Sequence, residues 1–183
     1  IENARLYRYA LEKAKLEQEI RIAAEIQQAL LPKPQHGGGF FDAAGATIPC
    51  RSIGGDFFDV IDLPGGVFGF ALGDVAGKGP PAALLSAMVQ GIIAAQTTST
   101  DGPSITLARV NHAMIRRAIA ARYVTMFYAV LHPDGMLQYC NAGHNPPAVR
   151  RKANSSITWL KPTAPAIGLA EDFHPRMETI GFS

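Results

Sequence analysis

An α/β (α+β) fold, with antiparallel sheets flanked by helices and a long N-terminal helix, is what this sequence predicts. Three observations carry that expectation. Residues 1–31 contain neither glycine nor proline and are rich in Ala, Leu, Glu, Lys and Arg. Short apolar runs bounded by Gly, Pro and Asp clusters recur before residue 75 and after residue 123. Between these runs, two stretches switch to a helical spacing of apolar residues.

The first helix is expected over 1–31. Leu6, Tyr9, Lys13, Leu16, Ile20, Ala23, Gln27 and Leu30 make a heptad seam with polar breaks at Lys13 and Gln27. Arg8 with Glu12, Lys15 with Glu19, and Arg21 with Glu25 are opposite charges one helical turn apart. Two readings stand: a helix packed on its own domain, or a parallel dimeric coiled coil. Ala23, Ala24 and Ile26 widen the apolar face, so the last turns are expected to dock on the globular part. Pro32 and Pro34 end the helix.

Gly37-Gly38-Gly39 reads as a loose connector. Strands are expected over Asp42 to Pro49, Phe57 to Leu63 and Val67 to Leu72, with Pro64-Gly65-Gly66 turning the last two into a hairpin. A helix follows from Pro80 or Pro81 to Gln96, apolar nearly all round and so buried against a sheet. A second runs from Pro103 to Ala121 with one stripe of Leu107, Val110, Met114 and Ala118. Val124 to Leu131 has the composition of a central strand, and Pro133-Asp134-Gly135 turns it into Met136 to Asn141. Short strands are expected around Ala148 to Arg151, Ile157 to Leu160 and Met177 to Ile180. The chain thus divides into a linker helix, 1–31, and a globular domain, 40–183.

Composition narrows the function classes. A net charge of +2 with no run of like charge argues against nucleic acid as a partner. No apolar run reaches the roughly 18 residues a membrane span needs. Cys50 and Cys140 form no metal-spaced cluster and read as buried thiols, which suits a reducing, cytoplasmic setting.

The chemistry concentrates in Gly54-Gly55-Asp56-Phe57-Phe58-Asp59 and Gly73-Asp74-Val75-Ala76-Gly77-Lys78-Gly79. One hairpin separates Asp56 from Asp74, so antiparallel neighbours can bring both carboxylates to one sheet end. Hard oxygens with no nearby Cys or His pair favour Mg²⁺ or Mn²⁺ over Zn²⁺. Two such ions could hold a water and steady in-line attack on phosphorus. The helix beginning near Pro80 would favour an anion beside the block. Asp59 and Asp62 read as solvated or supporting groups, and Lys78 as a loop lysine that could touch phosphate. Asn141-Ala142-Gly143-His144-Asn145-Pro146-Pro147 reads mainly as a rigid turn, although His144 has the chemistry of a general acid or base.

At these residues the sequence resembles the bacterial SpoIIE/RsbU-type serine phosphatases, a branch of the metal-dependent PPM protein phosphatases. The matching pieces are Ala24 to Pro32, Gly54 to Val60, Gly73 to Ala82, Thr125 to Val130 and Asn141 to Pro147. The resemblance implies an α-β-β-α sandwich of two antiparallel sheets with a two-ion Mn²⁺ or Mg²⁺ site. It implies Asp56 and Asp74 as the catalytic, metal-holding carboxylates, with Asp74 bridging both ions and the Val75 carbonyl as the adjacent ligand. Gly55, Asp59 and Lys78 would support them; no substrate-binding residue is assigned. The implied activity is hydrolysis of phosphoserine or phosphothreonine on a phosphorylated STAS-type anti-anti-sigma protein, without a phosphoenzyme. Ile1 to Tyr7 resembles the end of a GAF sensor domain, which implies a homodimer through the N-terminal helix and makes Ala23 to Leu31 a candidate switch element.

One departure tempers this. Such phosphatases carry further metal-binding aspartates downstream, and after Leu169 this chain holds only Asp172. The expectation is a fragment that lacks its last strands and remaining ligands, and whose activity alone is left open. Two other readings stay open: a non-catalytic module that binds a partner or relays a signal by dimerising, and a phosphoesterase acting on small molecules.

Overall fold

A computed structural model describes residues 2–48, 52–95, 101–117 and 123–182. Five antiparallel strands make the main sheet. They are β3 (Phe57–Leu63), β4 (Val67–Val75), β5 (Val124–Leu131), β6 (Met136–Ala142) and β9 (Glu178–Gly181), neighbours in that order. Two helices, α2 (Pro80–Ala94) and α3 (Pro103–Arg116), cover one face. Two small antiparallel pairs complete the sheets: β1 (Gln35–Gly37) with β2 (Asp42–Ala44), and β7 (Ala148–Arg150) with β8 (Ile157–Trp159). The long helix α1 (Glu2–Leu30) precedes them. Antiparallel sheets, flanking helices and a long first helix match the fold class read from the sequence.

The alternation of side chains along each strand builds two cores. Phe57, Ile61, Ala71, Val75, Val124, Met126 and Tyr128 meet Leu85, Val89 and Ile93 of α2 and Leu107, Val110 and Met114 of α3. On the other face, Phe127, Ala129, Leu137 and Tyr139 pack with Val149 and Leu160. The Phe127 and Tyr139 rings stack at 5.6 Å. Each fully buried large apolar side chain contributes about 1.5–3 kcal/mol.

Several boundaries moved for physical reasons. Strand β4 runs past Leu72 to Val75, because Gly73, Asp74 and Val75 pair with Met126, Thr125 and Val124. Gly37-Gly38-Gly39 is not a loose connector. Gly37 ends β1, and the Gly38 N–H bonds the Phe41 carbonyl at 3.1 Å in the turn to β2. The strand expected over Asp42 to Pro49 is short; among the described residues it covers Asp42–Ala44. Phe41 sets its ring edge-on to Phe68 and Phe70, so this hairpin covers the sheet face away from the helices. Helix α2 is one-sided rather than buried all round, since Leu84 is 74% exposed. Gln96, Ala118 to Ala121 and Cys50 lie outside the described residues.

Helix α1 has no buried residue, and Leu6, Tyr9 and Leu16 of its seam are each more than half exposed. Its last turns meet α2, as expected from Ala23 to Ile26. Ion pairs on it are Arg5–Glu2 at 3.5 Å and Lys13–Glu17 at 3.8 Å, exposed and so worth little. Among the described residues no helix is long and apolar enough to cross a membrane.

Gly73 sits opposite Phe57 in the β3–β4 ladder, and a Cβ there would lie 2.4 Å from the Phe57 ring. Phe57 is fully buried and has nowhere to go. Gly73→Ala is therefore expected to cost about 1–3 kcal/mol in urea unfolding. Adding Phe57→Leu should recover part of that loss, a coupling readable in a double-mutant cycle.

Candidate metal centre

Asp56 stands just ahead of β3 and Asp74 is the last residue but one of β4. The ladder pairs Phe57 with Gly73. One step further along the same register sets Asp56 opposite Asp74. Directly opposed residues project to one face, with Cβ atoms about 4.5–5.5 Å apart. The two carboxyl groups are close enough to share a hydrogen bond. Burial, the Asp56 charge and that bond all push the Asp74 carboxyl above its usual range.

Gly55 makes this approach possible. A Cβ at that position would lie 2.7 Å from the Val75 carbonyl oxygen and 3.0 Å from Val75 Cβ. Any side chain would lift the loop, and Asp56 with it, off the end of β4. Val75 itself is fully buried by its side chain, while its carbonyl lies beside the loop that carries Asp56.

The pair opens onto a cleft of about 220 Å³, lined by Gln27, Thr47, Gly54, Asp56, Asp74 and Lys78 among others. Lys78 is exposed at its rim. The start of α2 lies close by, but it offers little direct hydrogen bonding to an anion. Pro80 and Pro81 have no N–H, and the Ala82 and Ala83 N–H groups both bond the Gly79 carbonyl at 3.1 Å. Only the helix dipole remains to favour negative charge there.

Asp59 is not brought to this cleft. It lies half-buried on β3, accepts the Val60 N–H at 2.9 Å, and has the His36 ring nearby. Burial raises its pKa more than these contacts lower it. Cys140 is buried, donates to the Arg176 carbonyl at 3.0 Å, and has its thiol pushed up to about 11 by burial, so it is no nucleophile.

Two residues near the pair, Thr125 and Gln27, were not singled out as site residues from sequence. Thr125 is opposite Asp74 on β5, and its hydroxyl lies 2.9 Å from His144 Nδ1. Burial lowers the His144 pKa, against the opposing pull of the Asp56 charge. In the turn that holds His144 a polar side chain bonds the backbone, as expected. Asn141 is fully buried; its side chain donates to the Leu160 carbonyl at 3.1 Å and accepts the His144 N–H at 2.8 Å. The other is Gln27. Its one sequence signal was a polar break in the heptad seam where the helix reaches the globular part.

The donors assembled are two carboxylates with a backbone carbonyl beside them. All are hard oxygens, and two like charges in contact are relieved by a cation. Among the described residues no group of three or more His, Cys, Asp or Glu side chains could hold a metal. The set fits a hard divalent ion that keeps several of its own waters.

The family model described as Stage II sporulation protein E (SpoIIE) matches residues 64–183, a span that includes Asp74 and Val75. The chain is similar to the phosphoserine phosphatase RsbU of Bacillus subtilis (strain 168), at 27% identity over 159 residues. That alignment covers 86% of this chain and 47% of the relative, so the chain spans about half that protein's length. The SiaA-PP2C domain of Pseudomonas aeruginosa has a similar structure, with a TM-score of 0.77 and 21% identity over 95% of this chain and 70% of that one. RsbX, solved in complex with magnesium, has a TM-score of 0.58 and 18% identity over 73% of this chain and 65% of that one. The likeness to these two structures is one of fold. With most of its length matched by the family model, the chain belongs to the SpoIIE family.

Proposed function

We propose that this chain is the catalytic part of a metal-dependent protein serine/threonine phosphatase. Its substrate would be a phosphorylated small regulatory protein, such as a STAS-type anti-sigma factor antagonist. The observation that carries this reading is the contact pair Asp56–Asp74 at the mouth of an open cleft. Similarity to a phosphoserine phosphatase supports the reaction class.

Asp56, Asp74 and the Val75 carbonyl would hold Mn²⁺ or Mg²⁺; RsbX, of like fold, is known with magnesium. Such an ion lowers the pKa of water and neutralises charge on a phosphoryl group. The chain's own residues do the rest. Gly55 lets the two carboxylates stand together. Lys78 places a positive charge at the rim, and the α2 dipole adds to it. The cleft, at about 220 Å³, is smaller than the roughly 300–1,000 Å³ that encloses small molecules. Its size and openness suit a phosphorylated side chain presented by a protein surface better than a free metabolite.

The exposed seam of α1 supports a homodimer formed through residues 1–31, with the globular domain at 40–183 carrying the chemistry. It also keeps alive the second reading, a module that relays a signal by dimerising.

Mn²⁺-dependent release of phosphate from a phosphoserine protein, followed by malachite green, is expected to fall at least about 100-fold in Asp74→Asn and to stop with EDTA. Equal turnover in the variant would remove the catalytic reading and leave the relay module. In the metal-free chain the same substitution should stabilise. A carboxyl with a raised folded pKa contributes stability below its unfolded value, near 3.8, and loses it as pH rises through the folded value. At neutral pH the charged pair therefore opposes folding. Asp74→Asn should raise the metal-free Tm by about 1–3 °C at pH 7, and less near pH 3.5, by scanning fluorimetry. Added Mn²⁺ should raise the Tm of the wild type and not of the variant. For the helix, Leu16→Asp with Ile20→Asp should give a monomer by light scattering, and an unchanged dimer mass would rule out the α1 interface.

A further inference from the structure

We infer that Gln27, at the start of the last turn of α1, is a positioning residue for the metal centre. It acts through the backbone of Gly54, and the inference rests on the metal-dependent reading above. The Gln27 Nε2 donates to the Gly54 carbonyl at 2.7 Å, and the Gly54 N–H donates to Gln27 Oε1 at 3.2 Å. One side chain thus satisfies both backbone groups of one residue, as a neighbouring strand would. A primary amide of this length can do so because it carries a donor and an acceptor side by side on one carbon.

The target of the pairing matters. Gly54 lies in an irregular loop without ladder partners of its own. Gly55, next along, is buried against the Val75 backbone. Asp56 follows, in contact with Asp74. Three consecutive residues therefore meet three different neighbours: the α1 amide, the end of β4, and the opposing carboxylate. The last of these is repulsive when both groups are ionised, so it cannot hold Asp56 in place. The work of keeping the two carboxylates together in the absence of a cation falls to Gln27 and to the Gly55 contact. Groups that orient ligating side chains from behind typically affect metal affinity about 10–100-fold.

Gln27 has few other reasons to be where it is. It is half-buried on a helix with no buried residue, and it breaks the apolar seam of that helix. Leucine or methionine there would suit a coiled coil better. An amide at this position costs seam packing and gains a fixed loop.

The test is Mn²⁺ binding to the intact chain, with free ion counted by electron paramagnetic resonance. Gln27→Met keeps length and volume but can make neither hydrogen bond. Its Kd for Mn²⁺ is expected to rise about tenfold, with its circular dichroism unchanged. A folded Gln27→Met chain that binds Mn²⁺ like the wild type would overturn the inference while leaving the metal reading intact. Hydrogen exchange on the wild type needs no variant. Because coupling between two sites is reciprocal, Mn²⁺ should slow amide exchange both at Gly54 and in residues 23–30. Slowing at Gly54 with none in 23–30 would also overturn it. A wild-type chain that binds no Mn²⁺ would defeat the metal reading and this inference with it.

Discussion

Two carboxylates of like charge are pressed together at the end of one strand pair, and much of the chain's design can be traced to holding them there. The antiparallel register sets Asp56 opposite Asp74. The missing side chain at Gly55 allows the loop to reach the β4 backbone. Burial first, and then the Asp56 charge, raise the Asp74 pKa, so holding the acids together carries a cost. A cation between the two acids would relieve that cost, which is why the proposed function is centred on this pair.

The surrounding elements serve this pair at different distances. Phe57 and Val75, neighbours of the two acids in sequence, are buried under α2 and α3, so the strand ends cannot drift. Thr125 extends the row across β5 and holds the His144 ring. Asn141 fixes the turn that carries His144, and its carbonyl also accepts the N–H groups of Thr163 and Ala164. From the other side, α1 reaches the loop through the Gln27 amide. A helix whose last turns meet α2 is thereby also joined to the Gly54 loop by two directed hydrogen bonds.

Much of this was legible in the sequence where periodicity and turn chemistry agree. Strand β3 and the Pro64-Gly65-Gly66 hairpin came out residue for residue, as did β5, because apolar runs were bounded by clear breakers. Strand β4 was cut short at Leu72 since Gly-Asp reads locally as a turn; the pairing with β5 overrides that preference. The β1–β2 hairpin was missed because three glycines hide a strand end whose stability comes from Phe41 against Phe68 and Phe70, a contact distant in sequence. Asp56 and Asp74 could be found as glycine-flanked acids, and the resemblance gave them roles. Gln27 could not, because its partner is a backbone group in a remote loop, which leaves no mark of residue type.

Anomalous diffraction at the manganese edge, from crystals of this chain soaked in Mn²⁺, addresses the central claim most directly. The expected result is a peak within coordination distance of carboxylate oxygens from both Asp56 and Asp74, beside the Val75 carbonyl. Full-occupancy manganese elsewhere on the chain, with those two carboxylates still in contact and no peak between them, would contradict it.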